Sequence, residues 1–289
     1  MANPVQVHVI GASGRSGAAL CQSLLADDVS PVPIVRSRDR WEASGIHATA
    51  RLADSGDAAA LGAALADATH VVSCAHARHA GAVIAAVPAQ AVLILLGSTR
   101  KFTRWPDEHG NDVIAGERVF LSSGRNGVML HPTMIYGAQG EDNVQRLAAL
   151  LRWLPVIPLP DGGRALVQPI HQDDVTRAIR AALIQTWDGP RSLVIAGPVP
   201  LPYVKFTRAV AAAAGLHDRP VIAVPAGLLT GAAGLLRRVP GLPRVHPDEI
   251  RRLLEDKAFD VEPMRQILGI EPIPLQEGLA RTFASKQRV

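Results

Sequence analysis

Three short stretches of this 289-residue chain carry residue types that could do chemistry at a spacing chemistry uses. The first, "GASGRSG", sets Gly11, Gly14 and Gly17 three apart, between strand formers (Val5, Val7, Val9, Ile10) and helix formers (Ala18 to Leu25). Glycines at such positions give a tight turn, a bare backbone where an anion must approach, and close helix–strand contact. The free N–H groups and positive dipole end of the helix face the turn, so Gly11, Ala12, Ser13, Gly14, Arg15, Ser16 and Gly17 suit a pyrophosphate. The second stretch, "STRK", places Lys101 three residues after Ser98, the S-x-x-K spacing of acyl-transferring hydrolases. Its companions S-D-N and K-T-G are missing, and it follows a strand instead of opening a helix, which argues against that chemistry. The third, "CAHARHA", gathers Cys74, His76 and His79 and invites a metal. These residues end a buried strand and begin a helix, so their side chains need not converge, and no metal is expected.

The elements that must position these residues follow from periodicity. Apolar runs at "VPIV", "HVVSCA", "AVLILL" and "GVML" alternate with helix-like "GDAAALGAALADA" and "HAGAVIAAV". Repeated strand–helix units predict an α/β fold, a doubly wound parallel sheet with the ligand crossing its C-terminal edge. Beyond Leu130 the rhythm loosens into "LPVIPLPDGG" and then helical segments. These include "DDVTRAIRAALI", with Asp173 or Asp174 as N-cap, and "HPDEIRRLLEDKAF", with Pro247 near the helix start. The expected division is a dinucleotide-binding core over 1–135 and a smaller, mostly helical substrate-side lobe over 136–289, interleaved with the last core elements at about 165–196.

Composition excludes several classes. With 48% hydrophobic residues and a net charge of +4, the chain can bury a large core, and its arginines are scattered, so no nucleic-acid partner is expected. Two cysteines and no signal peptide point to a reducing, cytoplasmic setting. The longest apolar run, "VIAVPAGLLTGAAGLL", is too short for a bilayer span and is broken by Pro225. It predicts a strand followed by a buried or interface helix, and neither a transmembrane segment nor peripheral membrane contact is expected.

In ordered matches along most of its length the sequence resembles the short-chain dehydrogenase/reductase superfamily, in its extended and atypical branches, the epimerase/dehydratase-like and NmrA-like proteins. "GASGRSG" resembles the cofactor loop, "LLGSTR" the strand end with the family serine, and "GVMLHPTMIYG" the substrate-side loop of the extended branch. "LVQPIHQDDVTRAI" and "VEPMRQILGIEPIPLQEGLARTF" resemble later elements of that branch. The resemblance implies a Rossmann fold and assigns to the cofactor Asp54 beside the adenine, Cys74 and Ala75 along its flank, and His131, Pro132 and Thr133.

Charge bears on which dinucleotide. An acid about 20 residues past the glycines binds the NAD ribose, whereas an arginine accommodates the 2′-phosphate of NADP. The second strand ends in "IVRSRDR", so Arg36 stands at that position with Arg38 following and Arg15 in the loop, which favours NADP(H) over NAD(H). Asp39 keeps an NAD ribose open as the alternative.

Family chemistry needs a serine, a tyrosine acid/base and a lysine four residues later. Ser98 matches the serine; "EHGNDVIAGERV" resembles the helix that carries the pair, placing His109 at the tyrosine position and Val113 at the lysine position. No Tyr-x-x-x-Lys occurs in the chain. Candidate catalytic residues are therefore Ser98, His109 and Tyr136, and each also has a structural reading: loop histidines usually face solvent, and Tyr136 could simply pack. Lys101 reads as a surface charge. The resemblance implies either an oxidoreductase or epimerase on a small carbonyl or sugar-like substrate, or a redox-inert NADP(H) sensor or assembly module working through a regulatory protein partner, as in NmrA-like proteins and a complex I accessory subunit.

Overall fold

The strand before the glycine turn sets the architecture. The computed structural model describes residues 6–137, 143–236 and 247–284, so Val5 and His246, at the edges of a predicted strand and helix, lie outside the described residues. The described strands are β1 (Val7–Ile10), β2 (Pro31–Val35), β3 (Arg51–Leu52), β4 (His70–Ser73), β5 (Val92–Leu96), β6 (Gly127–Pro132), β7 (Ile135–Tyr136), β8 (Ile157–Pro160), β9 (Leu166–Val167), β10 (Ile170–His171), β11 (Pro190–Ile195), β12 (Leu201–Pro202) and β13 (Val221–Val224).

Seven of them form one parallel sheet in the order β3-β2-β1-β4-β5-β6-β11. The chain winds outward from β1 to β3, then returns past β1 to β4, so the order reverses between β1 and β4. A crevice opens at the C-terminal ends of strands at such a switch point.

The inner strands β1, β2, β4, β5 and β6 are buried on both faces, which explains their continuous apolar runs. Val72, Ile94, Val128 and Leu130 pack with Leu20, Leu24, Val175, Ile179 and Met264, from helices Arg15–Ala26, Gln172–Ile184 and Glu262–Leu268. Their neighbours Val71, Leu93, Leu95 and Met129 point the other way, onto Leu61, Val83, Val113 and Phe120 of helices Ala58–Ala64, Ala80–Ala86 and Glu108–Leu121. The fold is thus a doubly wound Rossmann sheet, and helices dominate the C-terminal region.

Two local expectations change. The N-cap of helix Gln172–Ile184 is His171, whose Nδ1 accepts the Asp173 N–H at 3.2 Å, and not Asp173 or Asp174. Asp174 is instead fully buried and accepts from Ile273 N–H (2.8 Å) and Arg177 (2.7 Å), so its carboxylate ties the C-terminal segment to the helix. The run after Val221 forms β13, parallel to β8, and helix Ala226–Leu236. That helix is not buried at Leu228, which is 67% exposed. No helix of the described residues is long and apolar enough to cross a membrane.

Candidate active site

The glycine turn lies at the end of β1, and two of its glycines, Gly11 and Gly17, are required for different reasons. Gly11 has φ of +75°, and a Cβ there would stand 3.1 Å from the Ala75 nitrogen. Gly17 is pressed against the turn, since a Cβ would fall 2.4 Å from the Gly11 carbonyl oxygen. Gly14 donates to that same oxygen at 2.9 Å and precedes the helix without a side-chain cap, so the first N–H groups face the open groove.

That groove, about 550 Å³, is walled by Gly14, Arg15, Ser16, Gly17, Cys74, Pro132 and Thr133, all expected from sequence, and by Gly97, Ser98, His109 and Gln172. Ala12 is buried beneath it. Gln172 was not anticipated: its Oε1 accepts from Ser16 Oγ at 3.1 Å across 156 positions, a pairing that carries no local signal.

Beyond the groove walls, Arg36 and Arg38 are exposed just after β2, with Ser37 between them capping the next short helix. Asp54 follows β3, and its Oδ1 accepts the Gly56 N–H at 2.9 Å. Burial, helped by Arg78, holds the His79 imidazole below its ordinary pKa, with Asp54 and Arg36 also within electrostatic reach. Arg78 Nε donates to His79 Nε2 at 3.2 Å, which brings a further arginine to this end of the site.

At the other end Ser98 closes β5 and its Oγ accepts from the Arg100 N–H at 3.1 Å, capping a short helical turn. His109 sits in the first turn of helix Glu108–Leu121, whose N-cap Asp107 accepts from Gly110 N–H at 2.8 Å. His109 is partly buried, so the solvent-facing reading does not hold. Its Nδ1 lies 2.8 Å from His76 Nε2, and the rings meet edge to face with centroids 4.5 Å apart. His76 Nδ1 accepts the Arg78 N–H at 3.3 Å and lies 3.7 Å from an Asp112 carboxylate oxygen; in the tautomer that the Arg78 contact favours, the His76 proton sits on Nε2 and is donated to His109. Neutral His109 therefore carries its own proton on Nε2. Burial first, then the neighbouring His76 and Arg100, holds its pKa below the usual 6.5.

Behind Ser98 lies a polar cluster that the sequence did not reveal. The Ser98 N–H donates to His131 Nδ1 at 3.2 Å, while His131 Nε2 stands 3.2 Å from Glu117 Oε1 without the alignment of a hydrogen bond. Glu117 accepts from Lys101 and, at 2.5 Å, from Ser192 Oγ. Lys101 is only 12% exposed, so it is a half-buried ion pair and not the expected surface charge. Burial above all pushes His131 down to about 4, leaving it neutral. His131 supports the cofactor wall from behind and does not line it.

Val113, at the lysine position, is buried in the core. Tyr136 is 0% exposed, packs edge to face on His171 and lies so close to Gly278 that no side chain could replace that hydrogen. Burial raises its phenol pKa, and it lines neither cavity, so the structure places it in the core of the lobe away from Ser98 and His109. Cys74 is also held protonated by burial, and no three His, Cys, Asp or Glu converge among the described residues.

A second cavity of about 620 Å³ runs from this point into the C-terminal lobe. It shares Ser98, His109, Thr133 and Asn143 with the groove, so the two meet there. Thr133 Oγ1, at that junction, is buried without a hydrogen-bond partner. An orphaned hydroxyl at the meeting of two cavities suits a bound group that accepts or donates a hydrogen bond. With the glycine cradle, it makes these residues suit a bound dinucleotide.

Comparison with known proteins agrees. Residues 11–112 match a family model described as NAD(P)H-binding. An uncharacterized protein of Mycobacterium tuberculosis is 31% identical over 271 residues, which cover 93% of this chain and 28% of that protein. The chain thus spans little more than a quarter of the length of this relative. Among solved structures, the UDP-glucose 4-epimerase of Thermotoga maritima with UDP-glucose superposes with a TM-score of 0.73 at 13% identity, over 98% of this chain and 99% of that one. The UDP-glucuronic acid 4-epimerase of Bacillus cereus, in complex with UDP-glucuronic acid and NAD, gives 0.73 at 15% identity over 98% and 99%. Residues 11–112 thus match an NAD(P)H-binding model, and the chain shares the fold of these solved epimerases.

Proposed function

We propose that the protein is an NADP(H)-dependent reductase of a carbonyl compound, with His109 as proton donor. The observation that carries this reading is the junction at Ser98, His109, Thr133 and Asn143, where the dinucleotide groove opens into a separate cavity large enough for a substrate. A protein that only sensed the dinucleotide would have no need of that second space. Bound NADPH would supply a hydride to the carbonyl carbon, leaving NADP⁺ and an alcohol. The chain's own residues do the rest. Gly14 to Gly17 and the helix start hold the pyrophosphate, and Arg15, Arg36, Arg38 and Arg78 offer guanidiniums toward the 2′-phosphate end. Thr133 Oγ1 supplies a hydrogen bond at the reacting end. Ser98 Oγ orients the carbonyl oxygen, and His109 Nε2 delivers the proton to it.

His109 can give up a full proton only as imidazolium, in which its Nδ1–H donates to His76 Nε2 and His76 carries its own proton on Nδ1, on the side of Asp112; burial depresses that charged form. Turnover is accordingly slow at neutral pH and grows as pH falls. One observation favours a second reading, a redox-inert NADP(H) sensor. Val113 leaves the nicotinamide ribose without the customary lysine. Following NADPH oxidation against a carbonyl panel decides between the two, since a sensor binds NADPH and oxidises none of it.

A further inference from the structure

We infer that the second cavity binds an apolar-tailed compound, an alkyl-chain ketone or aldehyde, and not a nucleotide sugar; this rests on the carbonyl-reductase reading. Its wall is built by the sequence in a specific way. Helix Asn143–Trp153 already buries one stripe, Val144, Ala148 and Leu151, against the lobe. A second apolar row, Leu147, Leu150 and Leu154, borders the cavity half-exposed, and the buried Ile157 and Phe206 complete that wall. Leucines left partly exposed inside a concave wall gain free energy when an apolar group covers them.

The charged groups of the same cavity are already committed. Arg146 donates to Glu249 at 2.7 Å, and Arg100 Nε to Asp107 at 2.7 Å, with Arg252 3.8 Å from the same carboxylate. Lys257 donates to the Arg252 carbonyl at 2.8 Å, and burial lowers its pKa, which weakens it as a fixed cation. The remaining cation, Arg104, is exposed at the rim. A nucleotide sugar brings two phosphate charges and a hydrogen-bonding base, and pulling these arginines from their partners would offset much of that binding. An alkyl tail asks nothing of them. Its carbonyl would lie at Ser98 and His109, with the chain running along Leu147, Leu150 and Leu154.

The test is calorimetry on the NADP⁺-saturated protein with methyl ketones from four to twelve carbons, and with UDP-glucose. The expected result is a Kd that tightens roughly threefold to fourfold per added methylene, with UDP-glucose weaker than the longest ketone. Leu150→Gln and, separately, Leu154→Gln should each flatten the series, and because both side chains are half-exposed, neither change threatens folding. Equal affinity along the series, or tighter binding of UDP-glucose, overturns the inference. NADPH oxidation with the same ketones, on protein free of NADP⁺, reports on the reductase reading separately. Chain-length-dependent binding without oxidation upholds the apolar ligand and removes the reduction, whereas oxidation with no chain-length dependence removes the apolar ligand alone.

Discussion

His76 Nε2 and His109 Nδ1 lie 2.8 Å apart, with His76 pinned from behind by the Arg78 N–H. Two imidazoles in contact cannot both be protonated cheaply, so His76 helps to hold down the charged form of His109. The pair thus leaves Nε2 as the His109 nitrogen not engaged by His76. His76→Phe keeps the packing edge but removes the ring nitrogen that pairs with His109. We expect the pH dependence of turnover to move upward by a measurable fraction of a unit, while kcat falls because the ring is less well oriented. A purely structural His76 would leave the profile where it was.

His131 makes stability depend on pH. Its folded pKa is about 4 against the ordinary 6.5. The unfolded chain therefore binds a proton between those values that the folded chain refuses. Its contribution is complete above pH 6.5 and is lost as pH falls toward 4, on the order of 3 kcal/mol in all. Urea titrations at pH 7 and pH 4.5 should show that slope, and His131→Asn should reduce it at the cost of lower stability at pH 7. A slope unchanged by the substitution would assign it to other groups.

Thr133→Val separates folding from binding. Because the Thr133 hydroxyl is buried with no partner, replacing it with an isosteric methyl should leave thermal stability unchanged or slightly raised. NADPH affinity should fall by about 1 kcal/mol, as read by nicotinamide fluorescence. A marked loss of stability would mean that the hydroxyl serves the fold instead.

Arg36→Asp tests the dinucleotide choice. Losing one charge-assisted contact to the 2′-phosphate should weaken NADPH by about 1.5–3 kcal/mol and leave NADH binding unchanged or better. Calorimetry in which the unaltered protein bound both dinucleotides equally would count against the NADP preference.

Much of this was legible in the sequence where the signal is local. The glycine spacing, the apolar runs of β1, β2, β4, β5 and β6, and the arginines after β2 are each set by a few neighbouring residues, and the sheet follows from their alternation. What escaped is non-local. His76 and His109 are 33 positions apart, and Ser16 and Gln172 are 156 apart. Lys101 reads as a surface charge until Glu117 and Ser192 are brought to it. Tyr136 shows the converse limit: a tyrosine near a site in sequence and one sunk in the lobe core look alike, because only packing against His171 and Gly278 distinguishes them.

The central claim, that His109 donates the proton, is tested most directly by NADPH oxidation with a reactive ketone from pH 5 to 9, in the unaltered protein and in His109→Ala. The account predicts a rate that falls as pH rises through a pKa below 6.5, and a loss of about 10²–10⁴-fold in His109→Ala with NADPH affinity retained. Brisk oxidation that survives His109→Ala, or a rate independent of pH, would contradict it.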